Sequence, residues 1–295
     1  MQISANGIAI EVDDQGPPWA EPLLMIMGLG MQLTAWPEGL VQQLLAQGFR
    51  VIRFDNRDAG LSQAFDQLGV PNIGLASVQH LLHLPVRSPY SLTDMARDAL
   101  GVLDALGLQK AHVCGASMGG MIAQHVALLA PERLKSLSLI MTNSGARSVP
   151  GPSMRVRSAL LRRPPNPKDF AAVMERTYQL FRLIGSPAYP APEAELRERI
   201  KAYLRRSNRP HGLLRQLAAI AADTHRAGQL GRIKAPTLII HGESDPLIPV
   251  PAAHDLARRI PGAQLDLISG MGHDLPEQLW PSFVGGITRV AELAG

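Results

Sequence analysis

Apolar runs of strand length alternate with stretches of helical spacing at both ends of the chain. The apolar runs predict eight strands, two around the Asn6-Gly7 turn within residues 2–14 and the others near residues 22–27, 50–54, 111–114, 134–141, 236–241 and 264–268. Helical spacing and capping signals predict helices near residues 35–47, 91–106, 120–129 and 250–260, and a last one from about residue 279. This alternation predicts an α/β fold, a mostly parallel eight-stranded sheet with helices on both faces.

The alternation stops between residues 144 and 233. No strand-like run occurs there. Helical patterns separated by prolines occupy the segment instead, near residues 168–184, 191–206 and 211–226. We therefore expect a core domain of residues 1–143 and 234–295, and an inserted helical cap, or lid, of residues 144–233. Residues 64–90, irregular in pattern and rich in proline and glycine, are predicted to form a long surface loop.

The composition is that of a globular protein. The chain has 295 residues, 46% hydrophobic and 18% charged, which suits one large domain or one domain with an insertion. It has no apolar run of membrane-span length, and residues 1–7 lack the basic and apolar regions of a signal peptide. We therefore expect no membrane span and a cytoplasmic location. Cys114, the single cysteine, excludes an internal disulfide and is predicted to be a small buried hydrophobic residue.

Positive charge is concentrated in the predicted insertion. Residues 147–232 carry 17 Lys and Arg against 6 Asp and Glu, a net charge of +11, whereas the rest of the chain carries −7. These arginines are scattered among helical apolar positions, without the interleaved aromatic residues or motif of a nucleic-acid-binding module. The pattern therefore favours a solvated helical surface, partly paired with the acidic core, and no nucleic-acid partner.

The segment Gly115-Ala116-Ser117-Met118-Gly119 lies between a predicted strand and a predicted helix. A G-x-S-x-G turn in that setting is typical of a nucleophile elbow, which presents a serine hydroxyl at the top of a sheet in a strained backbone conformation. Glycines two residues before and after the serine avoid steric overlap in so tight a turn. The alternative is an ordinary glycine-rich turn with a serine that caps the helix.

Two further residues follow later strands in the order that such a serine requires. Asp245 comes after the strand near residues 236–241, and His273 comes after the last strand. Carboxyl ends of parallel strands share one edge of a sheet, so Ser117, Asp245 and His273 are predicted to form a nucleophile–acid–base triad. Asp274 competes for the role of the acid, but its adjacency to His273 disfavours it.

Two earlier acids, Asp55 and Asp58, close the strand near residues 50–54 and are predicted to brace loops. An oxyanion hole needs two N–H donors. We assign one to Met118, directly after the serine, and the other to Leu29, in the loop after the strand near residues 22–27. The chain has no clustered metal ligands and no nucleotide-binding motif, so we expect neither a metal nor a cofactor.

Three motifs together resemble the α/β-hydrolase superfamily over essentially the whole chain. They are the segments 27–30 (Met-Gly-Leu-Gly), 54–62 (Phe-Asp-Asn-Arg-Asp-Ala-Gly-Leu-Ser) and 115–120 (Gly-Ala-Ser-Met-Gly-Gly). Within the superfamily they are similar to the group that contains aclacinomycin methylesterase and many carboxylesterases. This resemblance implies a cap domain over the site and hydrolysis of carboxylic esters without a cofactor. Many relatives have His-Gly where this chain has Met27-Gly28, so a side-chain brace for that loop is expected to be missing.

The resulting hypothesis is a serine carboxylesterase that acts on a small-molecule ester through an acyl-enzyme. Lactonases, thioesterases, cofactor-free perhydrolases and carbon–carbon bond hydrolases use the same triad and stay open as alternatives. A ligand receptor with this fold and slow turnover is the alternative from a different class. Enzymes with an aspartate nucleophile are disfavoured because position 117 is serine.

Overall fold

The computed structural model describes residues 1–162, 166 and 168–295. Eight strands form one sheet: β1 (Gln2–Ala5), β2 (Ile8–Gln15), β3 (Glu21–Ile26), β4 (Phe49–Phe54), β5 (Ala111–Ala116), β6 (Leu134–Ile140), β7 (Thr237–Gly242) and β8 (Gln264–Ile268). Their order across the sheet is β1-β2-β4-β3-β5-β6-β7-β8. The strands β1, β2 and β4 pair antiparallel, and every pair from β4 to β8 is parallel, so the predicted mostly parallel sheet is confirmed.

The described residues form ten α-helices, several of which cover the two faces of the sheet. They are α1 (Glu38–Ala46), α2 (Ile73–Leu81), α3 (Leu92–Ala105), α4 (Met118–Leu129), α5 (Met154–Leu161), α6 (Phe170–Ile184), α7 (Glu193–Arg206), α8 (Pro210–Ala222), α9 (Pro251–Arg259) and α10 (Trp280–Glu292). Side chains of β3 alternate between two cores. Leu24 and Ile26 belong to the core that also contains buried residues of α3, α4 and α9, whereas Leu23 and Met25 belong to the core that contains buried residues of α1 and α10. Burial on both faces explains why this strand reads as a continuous apolar run.

The prediction that residues 64–90 form a long surface loop is wrong in part. The segment contains α2 and a short 3-10 helix at Asp66–Leu68. Asn72 caps α2 by accepting a hydrogen bond from Leu75 N at 3.0 Å. The helix buries only Ala76, whereas leucines such as Leu75 and Leu81 are exposed. Since its apolar residues do not mark a buried face, the usual amphipathic signal of a helix is missing from the sequence.

In the described parts of the chain, four helices, α5 to α8, lie between β6 and β7. Three of them confirm the helical patterns predicted within residues 144–233. The fourth, α5, is not predicted, because it has only eight residues and buries only Val156. Residues 163–165 and 167 of the predicted cap lie outside the described residues. Helices α6 and α7 share a small apolar core of their own, built on Tyr178, Leu196, Ile200 and Leu204.

Candidate active site

Ser117 occupies the turn between β5 and α4 in a backbone conformation that L-residues rarely adopt. Its φ is 54° and its ψ is −121°. A Cβ on Gly115 would overlap the backbone of Gly119, which confirms the predicted crowding across the turn. A Cβ on Gly119 would instead overlap the carbonyl oxygen of Ile26, so that glycine is required by the approach of β3. Both glycines allow the strained serine to sit at the carboxyl edge of the sheet.

Hydrogen bonds on both sides of the Ser117 peptide hold the turn in place. Its N–H donates to the Ile140 carbonyl at 2.9 Å, and its carbonyl accepts from Thr142 Oγ1 at 2.7 Å and from the Gly120 N–H at 2.9 Å. Although Ser117 stands at the N-cap position of α4, its side chain makes no cap hydrogen bond. The hydroxyl is therefore not used as a helix cap, contrary to the alternative considered for this motif.

The Ser117 hydroxyl lies next to His273, and His273 lies next to Asp245. The distance from Ser117 Oγ to His273 Nε2 is 3.0 Å, and from His273 Nδ1 to Asp245 Oδ2 it is 2.7 Å. The second oxygen of Asp245 accepts from the N–H groups of Leu247 and Ile248, both at 2.8 Å. The Asp245 side chain is fully buried, so its charge acts on the imidazole with little solvent screening.

Asp274, the competing acid, is held elsewhere. It accepts hydrogen bonds from the N–H of Ser186, at 3.1 Å, and from the Ser186 hydroxyl. Burial raises the pKa of Asp274, and the bonds from Ser186 oppose that shift. The structure thus brings Asp245, and not Asp274, to the His273 ring.

The loop that carries His273 is tied to the end of α6. The His273 N–H donates to the Ile184 carbonyl at 2.7 Å, and the Gly272 N–H donates to Ser186 Oγ at 2.8 Å. Sequence reasoning missed Ser186. It lies in a short Gly-Ser-Pro segment, and nothing there signals a contact with a loop 86 residues away.

The loop after β3 forms a turn against the serine. The Met31 N–H donates to the Gly28 carbonyl at 3.1 Å, and Gly30 has a φ of 67°, so Leu29 occupies the second position of a four-residue turn. A Cβ on Gly28 would lie 3.1 Å from Ser117 Cβ, which shows how closely the turn of residues 28–31, called the oxyanion turn after its predicted role, packs on Ser117. Met118, the other predicted donor, is the first residue of α4. The assignment of both N–H groups to an oxyanion hole stays a prediction.

A brace for the oxyanion turn is present despite the methionine at position 27. Asn56 Nδ2 donates to the Met27 carbonyl at 2.8 Å, and Met27 itself is buried. Asn56 belongs to the segment 54–62 that carries the family resemblance, but its role there is not visible from the sequence. One side chain that holds this loop thus comes from the segment just after β4.

The predicted bracing roles of Asp55 and Asp58 are confirmed. Asp55 accepts from the N–H groups of Leu33 at 2.7 Å and Leu61 at 2.8 Å. Asp58 accepts two bonds of 2.8 Å from Arg215 of α8. The predicted pairing between insertion and core therefore occurs, but the Arg215 side chain is 1% exposed and is not part of a solvated surface.

Cys114 is buried beside the site, as predicted. Burial raises the pKa of its thiol to about 12, so the thiolate needed for nucleophilic attack is scarce at neutral pH. Among the described residues, no cluster of three or more His, Cys, Asp and Glu side chains could hold a metal ion. Within the same parts of the chain, no helix is both long and apolar enough to cross a membrane.

A cavity of about 2880 Å³ opens over the serine. Ser117 and His273 lie in its wall, and so do Gly28 and Leu29 of the oxyanion turn. Helices α2, α6, α7 and α8 also contribute side chains, among them Val78, Phe181, Leu196 and Leu217. Ligand pockets usually hold about 300–1,000 Å³, so this one has room for a bulky molecule.

Comparisons with known proteins agree with this architecture. A model of the alpha/beta hydrolase fold matches residues 21–278. Two rhodomycin D methylesterases, from Streptomyces sp. (strain C5) and Streptomyces peucetius, are 33% and 31% identical to the chain, each over 93% of it and 92% of the relative. The crystal structure of a hydrolase from Pseudomonas aeruginosa PA01 superposes with a TM-score of 0.71, at 26% identity over 98% of this chain and 97% of that one. The family resemblance is thus confirmed, and the chain belongs to the α/β-hydrolase family.

Proposed function

We propose that the protein hydrolyses carboxylic esters through an acyl-enzyme on Ser117. The observation that carries the proposal is the continuous chain of hydrogen bonds from Ser117 Oγ through His273 to buried Asp245, opening into a large cavity. This arrangement supplies a nucleophile, a general base and a group that orients the base, which acyl transfer requires.

In the proposed reaction, His273 Nε2 removes the hydroxyl proton as Ser117 Oγ attacks the ester carbonyl. Asp245 accepts the Nδ1–H, which keeps the ring in the correct tautomer and stabilises the imidazolium that forms. The imidazolium then gives its proton to the departing alcohol, which leaves the acyl group on Ser117. A water molecule, activated by the same imidazole, hydrolyses this intermediate and releases the acid.

We assign stabilisation of the negative charge that develops on the carbonyl oxygen to the N–H groups of Leu29 and Met118. Met118 begins α4, where the helix dipole favours an anion, and its N–H has no partner within the helix. Leu29 lies between the two glycines of the turn, Gly28 and Gly30, and lines the same cavity as Ser117. Fixed donors of this kind stabilise the tetrahedral intermediate without reorganising during the reaction.

The substrate class that we propose is the methyl or other small-alcohol ester of a bulky, largely apolar acid. Two relatives that align over 93% of the chain are named rhodomycin D methylesterases. The cavity of about 2880 Å³ would accept an acid of that kind. Since leaving alcohols of this size occupy little space, most of the cavity is available to the acyl part.

We also propose that residues 144–233 form the cap that shapes this cavity. The apolar residues of α6 divide between two roles. Val173 and Phe181 line the cavity, whereas Tyr178 is buried between α6 and α7. The insertion therefore combines a small core of its own with a wall of the proposed pocket.

Activity on a panel of esters tests the proposed function. We expect multiple turnover of p-nitrophenyl esters of increasing acyl length, and faster cleavage of a polycyclic methyl ester than of methyl acetate. A Ser117→Ala variant is assayed beside the wild type, and the difference between their rates is the hydrolysis that depends on Ser117. A wild type that released no alcohol from any ester, or a Ser117→Ala variant that was equally active, would contradict the proposal.

Replacing Phe181 with alanine should change acyl-chain preference. The side chain lines the cavity, so its loss removes apolar contact that only long or bulky acyl groups reach. We expect the ratio of kcat/KM for long over short esters to fall by about tenfold, the scale on which hydrophobic pockets discriminate. Phe170→Ala is the matched control, because Phe170 is exposed on the same helix and outside the cavity wall. Equal losses on all esters would assign Phe181 a purely structural role.

A further inference from the structure

The oxyanion turn is held by side chains of the insertion. The Gly30 N–H donates to Gln216 Oε1 of α8 at 2.7 Å, and the Gly30 carbonyl accepts from the Tyr203 hydroxyl of α7 at 2.7 Å. The Gly30 nitrogen belongs to the same planar peptide unit as the Leu29 carbonyl. The bond to Gln216 therefore restrains the peptide that directly follows the proposed Leu29 donor, and the bond from Tyr203 restrains the next peptide, between Gly30 and Met31.

The segment just after the turn is bound in the same way. Gln32 is buried, and its amide donates to the Tyr203 carbonyl at 2.8 Å, while its oxygen accepts from Arg206 Nη1 at 2.6 Å. Arg206 also pairs with Asp55 at 2.8 Å, and Asp55 accepts from the Leu33 N–H at 2.7 Å. The end of α7 thus binds both the turn and the residues that continue it.

Packing around Gln216 and Gly30 leaves little room for alternative positions. Gln216 is fully buried, and its amide also donates to the Arg57 carbonyl at 2.8 Å. A Cβ on Gly30 would lie only 2.7 Å from Leu213 Cδ1. Burial, with a smaller contribution from the nearby charge of Asp55, raises the pKa of Tyr203 to about 12, so its hydroxyl stays a proton donor at neutral pH.

We propose that Tyr203 and Gln216 are positioning residues that hold the Leu29 N–H where the oxyanion forms. The helical insertion would then set the geometry of the oxyanion hole in addition to lining the cavity. This inference rests on the proposed function, because the position of Leu29 N matters only for a reaction that builds negative charge there. Displacing a reacting or stabilising group by about 1 Å can cost about 10²-fold in rate, so modest loosening of the turn is measurable.

The Tyr203→Phe variant tests the inference, because it removes one hydroxyl and keeps the ring. We expect kcat for a p-nitrophenyl ester to fall by about tenfold while KM changes by less than about threefold, since the lost contact matters mainly in the transition state. Gln216→Met, which deletes both side-chain hydrogen bonds at similar size, should act in the same direction. Tyr178→Phe is the matched control, because Tyr178 is buried in the insertion, outside the cavity wall, with Arg197 over its ring.

A thionoester, with sulfur in place of the carbonyl oxygen, separates positioning from general destabilisation. Sulfur accepts weaker hydrogen bonds, so an intact oxyanion hole favours the oxygen ester. We expect the ratio of oxygen-ester to thionoester rates to fall in Tyr203→Phe and Gln216→Met and to stay at the wild-type value in Tyr178→Phe. A variant that merely unfolds in part would lose both rates equally and keep the ratio.

Two outcomes separate failure of the inference from failure of the proposed function. A wild type that hydrolyses esters, with unchanged rate ratios in both turn variants, would overturn the inference alone. Labelling of Ser117 by a fluorophosphonate depends on the same oxyanion contact but needs no ester substrate. The rate of labelling should therefore fall in both turn variants. Absence of any Ser117 adduct in the wild type would overturn the proposed function together with the inference.

Discussion

Replacement of Ser117 with alanine is expected to lower kcat for ester hydrolysis by about 10⁶, the loss seen when a serine-hydrolase nucleophile is removed. The reason is geometric. Ser117 Oγ is 3.0 Å from His273 Nε2, the position from which the imidazole can take its proton during attack. Neighbouring Cys114 cannot take over, because its thiol is fully buried.

Intact-mass measurement after fluorophosphonate treatment checks the same assignment independently of turnover. One adduct is expected on Ser117 in the wild type and none in Ser117→Ala. Ser282→Ala is the matched control, since Ser282 is exposed on α10, and it should retain both the adduct and the activity. A modified Cys114 beside an unmodified Ser117 would show that the nucleophile is misassigned.

Replacement of Asp245 with asparagine is expected to lower kcat by about 10⁴ and to leave the fold intact. The Asp245 oxygen that accepts from Leu247 and Ile248 can be matched by the amide oxygen, so the loop keeps its two hydrogen bonds. The amide nitrogen then faces His273 Nδ1. A donor at that position favours the tautomer with the proton on Nε2, which cannot accept the proton of the serine.

Asp274→Asn is the matched control for Asp245→Asn. Asp274 contacts Ser186, and an asparagine oxygen can still accept a bond there, so we expect a loss far below the ~10⁴-fold of the first variant. Both variants should unfold at temperatures close to that of the wild type in a thermal melt. If the kinetic effects were exchanged between the two positions, Asp274 would be the acid that orients His273.

The residues of the proposed triad could be predicted from sequence because each follows an apolar strand. Ser117, Asp245 and His273 come after β5, β7 and β8, and parallel strands bring such positions to one edge whatever the intervening chain does. The glycines of the elbow added a steric constraint that few other turns share. Leu29 and Met118 follow from the same topology, and their assignment as donors stays a prediction.

The contacts that hold the site could not be predicted, since they join segments far apart in sequence and have no local pattern. Ser186 meets Gly272 across 86 residues, and Gln216 meets Gly30 across 186. Ser186 and Gln216 are single polar residues, and the sequence pattern around each predicts only the local helix or turn. That pattern does not indicate which distant segment the side chain contacts. Helix α2 was missed for a related reason, because its leucines face solvent and not a core.

The bonds from the end of α6 to the His273 loop have a consequence for protein engineering. Exchanging the insertion for that of a relative would remove the Ile184 carbonyl and the Ser186 hydroxyl. These two groups accept hydrogen bonds from the N–H groups of His273 and Gly272. The buried Gly272 N–H would then lack an acceptor, a cost of about 1–3 kcal/mol. Chimeras joined after residue 186 would keep both acceptors with the recipient chain, whereas chimeras that replace the whole of residues 144–233 would need a donor with an equivalent carbonyl and hydroxyl.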